Sequence, residues 1–243
     1  MDWHSRYLQQ ARWTQQLRAY LFGRIGLADA KRVLEVGCGT GAVLADFPLN
    51  KGVYGLDINL RSLGDAAQYA PNSSFTCGDG LLLPFGDDEF DVVFCHFLLL
   101  WCESPDRIVA EMRRVTHNGG SVLALAEPDY GARIDYPNGL SELGNWQVQS
   151  LRDQGADPGM GRKLAGIFSR SGLKHVEAGI LGGEWRRENT AGQSELEWQV
   201  LMDDLSGRVP FQKIQEMKAQ DEKAWEMGER VLYVPTFYAW GLV

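Results

Sequence analysis

The chain has 243 residues, 44% hydrophobic and 23% charged, with a formal net charge of -8. This is ordinary globular composition, enough for one substantial core and at most two modest domains. The acidic balance argues against a general nucleic-acid binder, which shows a basic excess or stripe. Arg113-Arg114 and Arg186-Arg187 stand as isolated pairs and read as solvated element ends. Cys38, Cys77, Cys95 and Cys102 form no C-x-x-C pair. They read as free thiols in a reducing compartment, so neither a metal site nor a disulfide is expected. Met1 is followed by polar Asp2, and the apolar run from Val92 to Trp101 is broken by His96. It is too short to span a bilayer, so a soluble cytoplasmic protein without a membrane partner is expected.

Residues 3–22 read as an amphipathic helix, with Trp3, Tyr7, Ala11, Trp13, Leu17 and Leu21 near helical spacing. From residue 33 short apolar strands are predicted at 33–37, 53–56, 74–77, 91–96 and 120–126. Helices are predicted between them at 41–47, 60–70 and 105–116. Ser104-Pro105 starts the last of these and Asn118-Gly119-Gly120 ends it. Strand–helix alternation with continuous apolar strands predicts a parallel sheet covered on both faces. Residues 131–158, rich in Gly, Pro, Asp and Asn, predict a loop-bearing insertion. A helix at 160–171 and a strand at 174–181 follow. Residues 194–205 and 210–227 read as helices, the first opened by a Ser194–Glu197 capping box. Val231 to Val243 is a β-rich tail that reads as the last strand. The helical stretch before it is too long for a simple crossover and reads as a cap over a site.

That site centres on Val33-Leu34-Glu35-Val36-Gly37-Cys38-Gly39-Thr40-Gly41. A buried strand, a glycine turn and a helix N-terminus make a nucleotide-sized cofactor site. By itself the loop is ambiguous. Residues 37–42 fit a loose G-x-G-x-x-A dinucleotide fingerprint, with Asp57 about 20 residues on for a ribose hydroxyl. Three further features bear on the choice. Glu35 opens an acid-x-Gly-x-Gly-x-Gly pattern. Cys77-Gly78-Asp79-Gly80 ends the third strand, followed by Leu81-Leu82-Leu83-Pro84-Phe85. Asp87-Asp88-Glu89-Phe90-Asp91-Val92-Val93-Phe94 enters the fourth.

Together these features resemble class I S-adenosylmethionine (SAM)-dependent methyltransferases, especially the small-molecule, ubiquinone-type group. The resemblance covers residues 31–130. It implies an α/β, Rossmann-like three-layer sandwich with a mostly parallel seven-stranded sheet. The whole chain, 1–243, is then one domain: an N-terminal helical lid (1–30), a SAM-binding core (31–130) and a helical cap insertion (185–228). The resemblance places the backbone of Gly37, Cys38, Gly39 and Gly41 against the methionine and ribose parts of SAM. Asp57 would accept from the ribose hydroxyls and Ile58 would pack on adenine. Asp79 would accept from the adenine amino group, with Gly80 and Leu81 beside the ring. Cys95 and His96 would lie at the methionine end. Each has a plainer reading: Glu35 as loop support, Asp57 as a helix N-cap, Asp79 as a turn residue and Cys95 as packing.

His96 is the candidate general base, because it interrupts an apolar run at a strand's C-terminal end, where ligands of such sheets bind. Alternatively it hydrogen-bonds a neighbouring loop and shapes the pocket. Glu127, Asp129 and Tyr130 follow the fifth strand and either orient an acceptor or form an exposed turn. Tyr7, with Trp3 and Trp13, could close a lid, and Arg12 could pair with the SAM carboxylate; core packing and an exposed charge are the alternatives. Deleting residues 1–20 is expected to weaken SAM binding. Trp185 and Trp198 are candidates for the wall of a substrate pocket, or for core. The function expected is methyl transfer from SAM to a small-molecule acceptor by in-line displacement, through positioning and desolvation. An NAD(P)-dependent oxidoreductase and a non-catalytic SAM-binding protein are the alternatives.

Overall fold

Residues 3–47, 52–182 and 191–243 are described in a computed structural model of the chain. The apolar strands pair side by side: β1 (Arg32–Val36), β2 (Gly52–Asp57), β3 (Ser74–Cys77), β4 (Phe90–Cys95) and β5 (Thr116–Pro128). All of their pairings are parallel. A short ribbon, β6 (Ile134–Tyr136) with β8 (Val231–Tyr233), lies apart from this sheet, while β7 (Lys174–Leu181) and β9 (Thr236–Leu242) complete it. The order is β3-β2-β1-β4-β5-β9-β7, and β9 runs antiparallel to both neighbours. The fold is thus the expected Rossmann-like α/β sandwich with a mostly parallel seven-stranded sheet.

Alternation along the strands sends apolar residues to both faces. Leu34, Val36, Val93, Cys95, Val122 and Ala124 face α4 (Pro105–Val115) and α6 (Leu164–Arg170). Val33, Val92, Phe94, Leu123 and Leu125 face Leu17 and Leu21 of α2 (Gln15–Arg24) and Leu63 of α3 (Leu60–Tyr69). The chain reverses direction across the sheet between β1 and β4, which opens a crevice at their C-terminal ends.

Five expectations about elements are corrected. The helix predicted at 41–47 is a single 3₁₀ turn, Leu44–Asp46. Phe47 precedes Pro48, which disfavours helical backbone there, and Phe47 is extended with ψ 141°. The first helix is two, α1 (Trp3–Trp13) and α2, broken at Thr14. Thr14 Oγ1 turns back to the carbonyls of Gln10 and Ala11, a bond that bends helices. Helix α4 ends at Val115, and Asn118-Gly119-Gly120 lies within β5. The segment 131–158 holds α5 (Ser141–Asp153). Its Gly, Pro and Asn content masked a helical stripe, Leu140, Leu143, Gly144, Gln147, Ser150 and Leu151, all buried. Lastly, α7 (Ala191–Leu205) already runs through Ser194, so no capping box starts it.

Helices α5, α7 and α8 (Phe211–Glu226) form a third core around Trp198, Leu201, Leu205 and Ile214. A buried ionic cluster joins it to the β6–β8 ribbon. Arg230 pairs with Asp135 at 2.7 Å and Asp221 at 2.5 Å, while Arg133 holds the other side of Asp135 at 2.6 Å. Trp198 Nε1 donates to Asp221 at 2.8 Å. Among the described residues no helix is long and apolar enough to cross a membrane.

Candidate active site

The glycine loop leaves β1 at the crevice. Gly37 and Gly39 have φ +74° and +51°, a region that favours glycine. A Cβ on Gly37 would lie 2.6 Å from Leu98 Cδ1, and one on Gly39 would lie 3.0 Å from Tyr7 Cε2. The loop is therefore clasped between the segment after β4 and α1. Gly41 serves differently from expectation: it packs against Ala66 and Ala70, each 3.3 Å from where its Cβ would stand, and lies outside the cavity.

Asp57 ends β2 beside the loop. Its Oδ2 accepts from Gly39 N and its Oδ1 from Asn59 N, both at 2.8 Å. Asn59 caps α3, accepting from Arg61 N and Ser62 N, so the N-cap position belongs to it and not to Asp57. Glu35 is buried, and its Oε2 has no hydrogen-bond partner. Burial holds its carboxyl well above the usual range; Arg18 opposes this and Asp57 adds to it.

A cavity of about 310 Å³ opens over these groups. Trp3, Arg6, Tyr7 and Gln10 of α1 form its roof. Glu35, Gly37, Cys38, Gly39 and Asp57 form its floor. His96, Phe97, Leu98, Leu100 and Trp101 follow β4 on one side, and Tyr130, Gln147, Gln154, Val200 and Asp204 close the far end. Of the residues singled out from sequence, Tyr7, Glu35, Gly37, Cys38, Gly39, Asp57, His96 and Tyr130 meet here.

The others do not line it. Arg12 is exposed on the outer side of α1. Ile58 is 73% exposed and lies just past the end of β2. Asp79 is exposed beyond β3, and its Oδ1 accepts from Leu81 N at 2.9 Å, forming a turn across Gly80. Because Asp57 pairs with Cys77, this open shelf adjoins the cavity at Asp57. Cys95 is wholly buried in the sheet core. Asp129 is buried under a two-point pair with Arg162. Trp198 is core, bonded to Asp221. Trp185 lies outside the described residues.

Glu127 also departs from expectation. It is fully buried, and its carboxylate accepts from Leu98 N (2.9 Å), Leu99 N (2.8 Å) and Leu100 N (3.1 Å). It holds the cavity segment after β4, where Phe97 is kept at φ +52°, a strained position for a bulky residue. Burial raises its carboxyl to about 7, against 4.5 ordinarily, although the three amides oppose the shift. Between those values the folded state holds a proton that the unfolded chain has lost. This stabilising contribution is full below about pH 4.5 and is lost as the pH rises through about 7. In chemical denaturation, Glu127→Gln is expected to flatten the fall in stability over that window; an unchanged slope would exclude the linkage.

His96 Nε2 lies 2.9 Å from Thr14 Oγ1, which accepts from Arg18 at 2.8 Å. Burial, with Arg18 adding, lowers its pKa to about 3. The imidazole is therefore neutral across the physiological range and a weak proton acceptor. Burial pushes the Cys38 thiol strongly upward, which removes it as a nucleophile.

Arg6, Gln147, Gln154 and Asp204 were not legible as site residues. Arg6 shares a helical face with Trp3, Tyr7 and Gln10, a spacing that could have flagged it. It pairs with Glu197 at 2.6 Å and so ties α1 to α7. Glu197, Val200 and Asp204 likewise fall at helical spacing, whereas Gln147 and Gln154 fall in the stretch read as loop.

The methyltransferase domain family matches residues 34–124. The chain is 30% identical to the demethylmenaquinone methyltransferase of Bacillus subtilis (strain 168) over 180 residues, 63% of this chain and 75% of that protein. The chain belongs to the SAM-dependent methyltransferase family. It is also 34% identical to the demethylmenaquinone methyltransferase of Renibacterium salmoninarum over 123 residues, 49% of this chain and 51% of that protein. The chain spans about half the length of several curated relatives: 51%, 45% and 54% of three of them. Among solved structures, a methyltransferase-fold protein from an antibiotic biosynthesis pathway of Anabaena variabilis aligns with a TM-score of 0.66. That alignment covers 94% of this chain and 97% of that one at 14% identity, a likeness of fold.

SAM, the family's methyl donor, fits the residues present. The unpartnered Glu35 oxygen is an acceptor suited to its ammonium group, and the Asp57 carboxylate has the lone pairs for ribose hydroxyls. Gly37 and Gly39 let a ligand approach the backbone, and Tyr7 lies over the loop.

Proposed function

We propose that this chain transfers a methyl group from SAM to a small-molecule acceptor. The observation that carries this reading is the chemistry around the glycine loop: two carboxyls, Glu35 and Asp57, and, among the described residues, no α-helix directly behind it. A dinucleotide pyrophosphate needs a helix N-terminus, whereas the acid at Asp57 suits the ribose of either cofactor. The Asp57 carboxylate attracts a sulfonium or an ammonium, and a cation bound beside Glu35 favours its ionised form. The same observation disfavours the oxidoreductase reading.

When bound, SAM supplies an activated methyl on its sulfonium. The chain's residues then have three tasks. Glu35, Asp57 and the glycine loop bind the cofactor. Tyr7 and Trp3 on α1 cover it, and with the Leu98–Trp101 segment they keep water from the reacting atoms. The far wall orients the acceptor. Positioning of this kind can contribute on the order of 7–11 kcal/mol in favourable systems. His96 acts in this reading as a neutral hydrogen-bonding wall residue and not as the base.

Titration calorimetry with SAM and NADH tests the cofactor: SAM is expected to bind and NADH not to, and the reverse would sink the reading. Transfer of labelled methyl to a panel of phenols, thiols and amines then separates an enzyme from a silent binder. His96→Asn is expected to leave the pH profile between about 5 and 8 unshifted, because the wild-type imidazole does not titrate there. Loss of a rate inflection near 6.5 in the variant would restore the base role.

Removing residues 1–13 takes α1 alone and keeps Leu17 and Leu21 in the core. SAM affinity is expected to fall by about tenfold or more, the equivalent of roughly 1.4 kcal/mol. Unaltered affinity in the folded truncation would show that α1 does not cover the cofactor.

A further inference from the structure

The far end of the cavity holds polar groups that the proposed cofactor contacts do not use. Gln147 is fixed in one orientation. Arg133 Nη1 donates to its Oε1, and a guanidinium only donates, so the amide nitrogen is the atom left over. Arg133 is itself held on Asp135 by two bonds, at 2.6 and 3.0 Å. The Gln147 amide nitrogen has no partner among the described residues, nor has the Tyr130 hydroxyl. Asp204 accepts from Gln154 Nε2 at 3.0 Å through Oδ1, and its second oxygen has no partner among the described residues. A donor, a hydroxyl and an acceptor therefore remain unspent on residues that line the cavity and are open to a ligand there.

Charge narrows what can supply them. The described cavity residues include the acids Asp57 and Asp204, a Glu35 whose burial favours its neutral form, and a single cation, Arg6, already paired with Glu197 at 2.6 Å. An anionic group would find no open cation there. An ammonium could meet Asp204 but has no lone pair for the Gln147 amide, which the bound ligand would cover and leave unpaired. A hydroxyl can accept from Gln147 and donate to Asp204. Leu100, Trp101, Leu151 and Val200 offer apolar surface beside these groups.

We propose that Gln147, Tyr130 and Asp204 select an uncharged acceptor bearing a hydroxyl on an apolar ring, and reject carboxylate- or phosphate-bearing acceptors. This rests on the methyl-transfer reading and names its acceptor class. Arg133 is a positioning residue in it, acting through Gln147.

The test uses the full chain saturated with S-adenosylhomocysteine and three probes of one shape: 1-naphthol, 1-naphthoate and 1-naphthylmethylamine. By calorimetry, 1-naphthol is expected to bind at least about tenfold tighter than either charged probe. Tyr130→Phe, which keeps the ring, is expected to weaken 1-naphthol by about fivefold. Asp204→Asn is expected to narrow the gap between 1-naphthol and 1-naphthoate. Neither variant should alter S-adenosylhomocysteine affinity. A charged probe binding as tightly as 1-naphthol overturns the proposal. So does a chain that binds S-adenosylhomocysteine but none of the probes, or a selectivity that neither variant changes. Failure of S-adenosylhomocysteine itself to bind overturns the methyl-transfer reading, and this one with it.

Discussion

Replacing Asp57 by alanine is expected to weaken SAM binding by on the order of 100-fold. A charge-assisted hydrogen bond is worth about 1.5–3 kcal/mol, and the proposed ribose contact uses this carboxylate. The variant also frees Gly39 N, which Asp57 Oδ2 holds at 2.8 Å, so the loop loses its anchor when it loses its ligand group. Asp57→Asn keeps one oxygen and should lose less, about tenfold. Calorimetry with S-adenosylhomocysteine measures both, with thermal melts run beside it to register any loss of fold. Wild-type affinity in Asp57→Ala would remove the carboxylate from the cofactor site and leave it a loop-bracing role only. An equal loss in both variants would point to charge, and not acceptor geometry, as what matters.

Arg230→Ala is expected to cost the fold about 3–5 kcal/mol, the usual consequence of stranding buried ionic partners. Arg230 is 4% exposed, and its guanidinium is the link between Asp135 and Asp221. Without it, Asp221 keeps only the Trp198 indole donor, while Asp135 keeps Arg133. The melting temperature should fall by on the order of 10 °C. The damage should concentrate in the third core, because the cluster joins the β6–β8 ribbon to α8 and, through Arg133, to Gln147 in the cavity wall. Hydrogen exchange would then rise in α5 and α8 before it rises in β1 and β4. A loss below about 1 kcal/mol in denaturant would show that the cluster is solvated and contributes little.

The two predictions fall on different halves of the molecule, and the halves were unequally legible. The parallel sheet covered on both faces could be read because its strands are continuous apolar runs that alternate with helices, and the family resemblance added its Rossmann-like, seven-stranded form. Leu34 and Val33, or Val122 and Leu123, go to opposite layers simply because they are neighbours in a strand. That Glu35, Gly37, Gly39 and Asp57 lie close together has the same cause: each sits at or next to a strand end, and parallel strands bring their C-terminal ends together.

Local signals failed where composition and packing disagreed. Gly, Pro and Asn in 131–158 suggested loop, yet the buried stripe from Leu140 to Leu151 makes α5, because burial against α7 outweighs weak propensity. The opposite error occurred at 41–47, where apolar spacing suggested helix and Pro48 ended it.

The sequence by itself determined a parallel sheet covered on both faces and a glycine turn at a strand end, since these depend on periodicity and on residues a few positions apart; the seven strands, the cofactor and the roles of the acids came from the family resemblance. Only the tertiary structure decided which acids line the cavity and which are held by other groups of the fold. Glu127 and Asp129 sit in the same tetrapeptide as Tyr130, but the backbone amides of residues 98–100 and Arg162 claim the two carboxylates, and only Tyr130 reaches the cavity. Arg6, Gln147 and Asp204 come from three distant segments and meet around one cavity through packing. A side chain's partner across the fold is set by three-dimensional neighbours, and no spacing in the chain encodes it.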